Sequence, residues 1–201
     1  MEMGRPYDAE IEYLQSTASS GFNVVTDKAF SPQSTFELKY KIDNILTQTT
    51  YQAYFTRETT VARTPTVYMG GRSNGYYYCS RDTSGGQKYI LREVSRNTNV
   101  HTLIVDFENK TVSLDGVQSA FATSFTQYTV SSRICLFKGI DSTYQGLYGK
   151  IYYFKIKKNN QLLLDLIPVR KGNVGFFYDK ISGSVLKNTD SGTFVLGPDK
   201  N

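Results

Sequence analysis

Acid–base and nucleophilic catalysis need particular groups close together: two carboxyls across one bond, or a nucleophile beside a base. Few places in this sequence offer either. Asp106 and Glu108 lie two apart in Ile104-Val-Asp-Phe-Glu-Asn109, and Glu10 and Glu12 lie two apart near the N-terminus. In a strand that spacing puts both side chains on one face. Glu10 and Glu12 precede the first core strand, where paired acids on an outward face are ordinarily just solvated. His101 is the only histidine and reads as a residue at the start of a strand. The two cysteines, Cys79 and Cys135, are widely spaced, and with one histidine they make no zinc set. Each sits among apolar strand residues, where a thiol packs as a small hydrophobic group; a bridge between them stays open. Gly70-Gly71 and Gly85-Gly86 lack the Lys-Ser/Thr and the helix of a phosphate-cradling loop.

Binding chemistry is better supplied. The chain has no Trp but 16 Tyr, and a tyrosine offers a flat ring to a sugar face and a hydroxyl that stays wet. Strand alternation sorts them. With Cys79 inward, Tyr77 shares its face while Tyr76 and Tyr78 point out. In 150–157, Tyr152, Phe154 and Ile156 read as the core face and Tyr153 shares the outer face with Lys155. In 50–55, Tyr51, Ala53 and Phe55 read inward and Tyr54 outward. Arg72, Asn74, Tyr76, Tyr78 and Arg81 gather aromatic, amide and guanidinium groups near the Asn74-Gly75 turn. That mixture suits a hydroxyl-rich or anionic ligand, and these five residues are the candidate ligand-binding set.

These side chains must be held by strands. The 201 residues include only 7 Ala and 7 Glu, against 74 Val, Ile, Thr, Tyr and Phe, types that fit a pleated, half-buried surface. Residues 35–42 alternate strictly: Phe36, Leu38, Tyr40 and Ile42 against Thr35, Glu37, Lys39 and Lys41. That is the pattern of an antiparallel strand with one wet face. Further short strands are expected at 11–14, 22–25, 50–55, 66–69, 76–79, 89–94, 102–106, 111–114, 133–137, 150–157, 162–167, 175–178, 184–186 and 194–196. Turn pairs such as Asp115-Gly116, Asn159-Asn160 and Ser182-Gly183 separate them. No linker or fixed-period repeat divides the chain. The expectation is one domain over 1–201, all-β, a two-sheet antiparallel sandwich of jelly-roll type.

Charge narrows the partners. The net charge of +5 comes entirely from residues 150–201, which hold 9 basic and 4 acidic residues. A modest basic face keeps a chain soluble or attracts acidic partners. The basic and aromatic patterns of nucleic-acid readers are missing, so no nucleic acid is expected. No apolar run approaches spanning length, so no membrane insertion is expected. The opening residues show no basic region followed by an apolar stretch, so no secretory signal is expected in this chain.

Three stretches carry a family resemblance. The hairpin from Thr102 through Asp115-Gly116, after His101, resembles the central hairpin of laminin-G-like, concanavalin A-like jelly rolls. Ile11-Glu-Tyr-Leu-Gln-Ser-Thr17 is similar to the "IEYLESTGTQYIDTG" opening of a subgroup common in gut bacteria and their phages; here Ala18-Ser19-Ser20 replace its next residues. The close, from Gly149-Lys-Ile-Tyr-Tyr-Phe through Leu166-Ile-Pro-Val-Arg-Lys-Gly172, Gly175-Phe-Phe-Tyr-Asp179 and Gly192-Thr-Phe194, resembles the same subgroup. The resemblance implies a lectin, adhesion module, enzyme appendage or virion part. Its glucanases carry Glu-x-Asp-x-x-Glu on one strand; here Ile104 and Asn109 stand where the outer glutamates would be, which argues against catalysis. Calcium occurs at the rim in relatives, and Asp82, Asp115 and Asp141 fall in loops, but no ligand run is present, so no cofactor is expected. The resulting expectation is a non-catalytic carbohydrate-binding or adhesion module at a cell surface or virion, within a larger assembly; a cytoplasmic location also stays open. The alternative is a structural virion protein acting through protein–protein contacts, and a glycoside hydrolase ranks below both.

Overall fold

The computed structural model describes residues 5–31, 33–45, 51–58, 68–72, 76–79, 88–91, 97–122, 131–139 and 144–201. Among them there is no helix and there are eighteen strands. In chain order these are β1 (Ala9–Glu10), β2 (Leu14–Gln15), β3 (Val24–Val25), β4 (Thr35–Ile42), β5 (Tyr51–Arg57), β6 (Tyr68–Arg72), β7 (Tyr76–Cys79), β8 (Lys88–Leu91), β9 (Val100–Asp106), β10 (Thr111–Leu114), β11 (Val117–Ala120), β12 (Ile134–Leu136), β13 (Tyr144–Gly146), β14 (Gly149–Lys158), β15 (Gln161–Lys171), β16 (Val174–Asp179), β17 (Val185–Leu186) and β18 (Val195–Leu196). They form two sheets. The larger runs β11-β10-β9-β4-β14-β15-β16-β17, with β1 beside β15, β2 beside β14 and β18 beside β2. The smaller runs β3-β12-β5-β6-β7-β8, with β13 lying parallel to β5.

β4 shows why the sheets pack face to face. Its alternation buries Phe36, Leu38, Tyr40 and Ile42 and leaves Thr35, Glu37, Lys39 and Lys41 half-exposed. β9 and β14 flank it, with Leu38 opposite Leu103 and Phe154. Phe36 then stacks across the sandwich on Phe55 of β5, ring centres 5.2 Å apart, and Tyr40 meets Tyr54 at 4.5 Å. Contacts of this length between facing aromatic rings fill the inter-sheet space with apolar area. The turns follow their residues. Asp115 and Gly116 both take positive φ, and so do Asn159 and Asn160, as a two-residue hairpin loop matched to strand twist requires.

A second, smaller apolar cluster lies on the outward side of the larger sheet. Leu164 and Leu166 of β15 enter the main core, while Ile167 and Val169 turn the other way to meet Tyr7, Phe176 and Tyr178.

Two face assignments expected from alternation are reversed. Both fall at β-bulges, where one strand carries an extra residue. On β5, Ala53 pairs with Gly70 and Phe55 with Met69, so Tyr54 is the extra residue; it is fully buried on Tyr40 rather than outward. On β14, Ile151 pairs with Tyr40 and Tyr153 with Lys39, so Tyr152 is the extra residue and leaves the core face expected for it. The strand β11 was not expected either: Val117 and Gln118 are exposed and it has no buried stripe to announce it. Cys135 is a free, buried thiol, which excludes the bridge to Cys79. Burial pushes its pKa up to about 12.

Candidate functional site

Of the residues singled out near the Asn74-Gly75 turn, Asn74 and Arg81 lie outside the described residues. Arg72, Tyr76 and Tyr78 are described by their backbone pairing alone. Arg72 ends β6 opposite Tyr76, and Tyr78 pairs with Gly70. The ladder from β7 to β8 slips by one residue between Tyr77 and Tyr78. Gly71-Arg-Ser-Asn-Gly75 has the letters of a nucleophile elbow, but β6, in which it begins, is followed by the antiparallel strand β7. The elbow needs a strand followed by a helix.

The outward face of the larger sheet carries a different patch. The bulge at Tyr152 leaves Ile151 and Phe154 buried and turns both Tyr152 and Tyr153 to the surface side. Tyr13, between β1 and β2, meets Tyr152 edge-on, ring centres 5.5 Å apart. Three ammonium groups stand over these rings: Lys150 is 4.2 Å from the centre of Tyr13, Lys155 4.9 Å from Tyr153, and Lys39 5.7 Å from Tyr152. These are cation–π distances. Glu12, Lys39, Tyr152, Tyr153 and Lys200 line a shallow depression of about 280 Å³.

Some charges on this face are already spent. Glu37 accepts a hydrogen bond from the Tyr153 hydroxyl at 2.9 Å and another from Lys157 at 3.0 Å. Burial alone would raise its carboxyl, but these two donors outweigh burial and hold it below its ordinary range. Burial, then the bond to Glu37, pushes the Tyr153 phenol up to about 12, so at neutral pH it remains a donor. Asp43 receives Gln15 at 2.9 Å and lies 3.8 Å from Lys41. Among the described residues, Lys39, Lys150, Lys155 and Lys200 have no carboxylate within ion-pair distance.

The groups suited to catalysis are occupied with structure. His101 places Nδ1 2.7 Å from Asp115 and Nε2 2.9 Å from the Asn97 side-chain oxygen. Backbone N–H groups of Thr102 and Asn99 donate to those same two partners. Both ring nitrogens are therefore engaged in closing the β9–β10 end of the sheet. Burial opposes ionisation of Asp115, but the Thr102 and His101 bonds prevail and lower its pKa. Asp106 caps the tight turn, accepting from the Glu108 and Asn109 backbones at 3.0 Å and from the Asn109 amide at 2.8 Å. Among the described residues, no three His, Cys, Asp or Glu side chains gather as a metal would need; Asp82 and Asp141 lie outside them. With no helix among the described residues, none is long and apolar enough to cross a membrane.

Sequence reasoning reached Tyr153 and Lys155 but missed Tyr152 and Tyr13. The signal for Tyr152 was present. Ile151 and Phe154 are both strongly apolar yet three apart, a spacing that strict alternation cannot place on one face without an extra residue.

No family model matches this sequence, and no curated protein matches it. Solved structures do match. A heptameric SAP-like pentraxin from Limulus polyphemus aligns over 95% of this chain and 96% of its own, with a TM-score of 0.52 and 8% identity. The CBM40 module of a Ruminococcus gnavus IT-sialidase, bound to α2,3-sialyllactose, aligns over 78% of this chain and 89% of its own, with a TM-score of 0.43 and 13% identity. A second structure of that module gives 78%, 90%, 0.43 and 14%. The fold is a jelly-roll β-sandwich, the architecture the sequence led us to expect. At such identity the likeness is one of fold alone.

Proposed function

We propose that this chain is a non-catalytic sugar-binding module that serves adhesion. The observation that carries the reading is the bulge at Tyr152, which brings two consecutive tyrosines to one surface beside Tyr13 and over a shallow depression. Flat rings flanked by polar groups suit the apolar face and hydroxyl rim of a pyranose. The absence of catalysis is supported by the engagement of His101 and Asp106 in turns and hairpins. We place the module with the laminin-G-like group of gut bacteria and phages, at a cell surface or virion, on the sequence stretches quoted above. The Arg72, Asn74, Tyr76, Tyr78 and Arg81 set remains a second proposed patch, three of its members, Arg72, Tyr76 and Tyr78, falling on strands of the other sheet.

The test is a glycan array followed by titration of any hit. Tyr152→Ala should weaken binding by roughly ten-fold or more, taking the ~1–3 kcal/mol of a nucleobase stacked on an aromatic side chain as the scale for one ring lost from a ligand. Its far-ultraviolet spectrum should be unchanged. Loss with Tyr78→Ala but not with Tyr152→Ala would move the site to the smaller sheet. No glycan signal at all would remove the reading.

One observation favours a second reading, assembly through protein contacts. Pro6, Val174, Phe176 and Val185 form an apolar groove of about 410 Å³ between Lys171 and Lys187, and Val174 and Ile181 are more than half or half exposed, at 60% and 50%. Sedimentation would decide this reading: a tight oligomer lost on Val174→Asp supports it, and a monomer at working concentration removes it.

A further inference from the structure

We infer that the Tyr13–Tyr152–Tyr153 patch selects sugars bearing a carboxylate or sulfate over neutral ones, with Lys39 and Lys150 supplying the grip and Glu12 opposing it. This rests on the sugar-binding reading above and adds the ligand class.

Positive charge is left over on this face. Glu37 is neutralised by Lys157 and hydrogen-bonded by Tyr153, and Asp43 has Lys41 and Gln15. Those carboxylates do not repel an anion at the depression as free ones would. Four ammonium groups remain without an ion pair among the described residues, Lys39 and Lys200 in the depression and Lys150 and Lys155 beside it. Among the described residues, Glu12, exposed, is the one carboxylate in the depression wall; Asp165 lies across the ladder from Lys155. Lys39 and Lys150 are also held: their ammonium groups rest on Tyr152 and Tyr13. A positioned ammonium loses less freedom on meeting an anion than a free one, and its hydrogen bond to a carboxylate or sulfate is charge-assisted.

The rings also distinguish a sugar from a nucleic acid. Tyr13 and Tyr152 meet at 65°, so they cannot present parallel platforms to successive bases as single-strand binders do. The depression accommodates a ring and its substituents.

The experiment compares polymers that share a backbone and differ in charge: dextran with dextran sulfate, and polygalacturonate with its methyl ester, at low salt. The wild-type chain should prefer the anionic member of each pair. Lys39→Gln with Lys150→Gln should weaken the anionic members by roughly ten-fold, as expected for loss of charge-assisted hydrogen bonds. The neutral members should shift by less than about two-fold, because uncharged stacking is untouched. Glu12→Gln should strengthen anionic binding, a gain that a purely structural residue would not give. Lys171→Gln with Lys187→Gln removes the same charge elsewhere and is the control. Equal loss in that control would mean diffuse net charge and overturn the inference, as would tighter binding of oligothymidylate than of dextran sulfate. Equal binding of charged and neutral polymers would overturn the selectivity but leave the sugar-binding reading standing. Failure to bind any of the four would remove that reading and this inference with it.

Discussion

The bulges at Tyr54 and Tyr152, one in each sheet, do opposite things with the same residue type. On β5 the extra residue is Tyr54, drawn into the core against Tyr40. On β14 the extra residue is Tyr152, turned out beside Tyr153 and Tyr13. A bulge breaks the two-residue period, so the residues after it keep their faces while the extra one goes where space allows. Tyr54 found a facing ring across the sandwich. Tyr152 found a neighbour on the outer surface, because Ile151 and Phe154 already fill the inner one. One bulge serves packing and the other exposes chemistry.

Deleting each extra residue sharpens that contrast most. Without Tyr152 the β14–β4 ladder becomes regular, with Ile151, Tyr153 and Phe154 still opposite Tyr40, Lys39 and Leu38. That deletion should leave a cooperative thermal transition and abolish sugar binding. Deletion of Tyr54 takes a whole ring from under Tyr40 and should cost more than the roughly 3–5 kcal/mol of an aromatic-to-alanine truncation in a core. Chemical denaturation of both variants decides. If the Tyr152 deletion also unfolds the chain, that bulge is a packing device and the contrast is false.

Point substitutions test the same comparison with smaller effects. Tyr54→Ala should cost roughly 3–5 kcal/mol and Leu38→Ala roughly 2–5 kcal/mol through lost burial and a cavity. Tyr152→Ala should cost about 1 kcal/mol or less. Similar losses at Tyr54 and Tyr152 would place both rings in one environment.

The pH dependence of stability reports on the outer side of β14. Glu37 titrates lower in the folded chain than in the unfolded one. Its contribution is therefore present above the ordinary carboxyl range, near 4.3, and is lost as pH falls through the folded value. Tyr153 works at the other end. Its folded pKa is raised to about 12, so its contribution is complete below about 10 and is lost as pH climbs through 12. Glu37→Gln should flatten the acid limb of melting temperature against pH, and Tyr153→Phe part of the alkaline limb. The buried Cys135 thiol, also raised to about 12, adds to that limb and should resist thiol reagents until the chain unfolds. Unchanged limbs in both variants would mean that the Glu37–Tyr153–Lys157 chain carries no stability.

How much of this was legible in the sequence depended on whether a local rule acted alone. β4 was read to the residue, because eight positions alternate without a fault. The Asp115-Gly116 and Asn159-Asn160 turns were read because few residues accept positive φ at both positions. Tyr54 and Tyr152 were assigned to the wrong faces because a bulge is fixed by pairing with a distant strand, Gly70 and Met69 for one and Tyr40 and Lys39 for the other. The parity clash between Ile151 and Phe154 announced that a slip existed without saying which residue absorbed it. Tyr13 was missed because its place is set by β2 crossing to β14, a contact spanning most of the chain. His101 was recognised as a strand residue, but its bonds to Asp115 and Asn97 depend on the closed hairpin.

The smallest expected effect lies at Lys39, directly between the two kinds of face. Its neighbour Leu38 is buried in the core, and its own side chain rests on Tyr152 at 5.7 Å. An exposed cation–π contact is worth about 0.5–1 kcal/mol at most, and part of that returns as side-chain freedom when the lysine is removed. Lys39→Ala should therefore change stability by less than about 0.5 kcal/mol while lowering affinity for an anionic sugar. Paired measurement of denaturation midpoint and sugar titration separates the two roles. A loss of stability comparable to Leu38→Ala would show that Lys39 is part of the packing, and the outer face of β4 would then belong with the core rather than with the ligand.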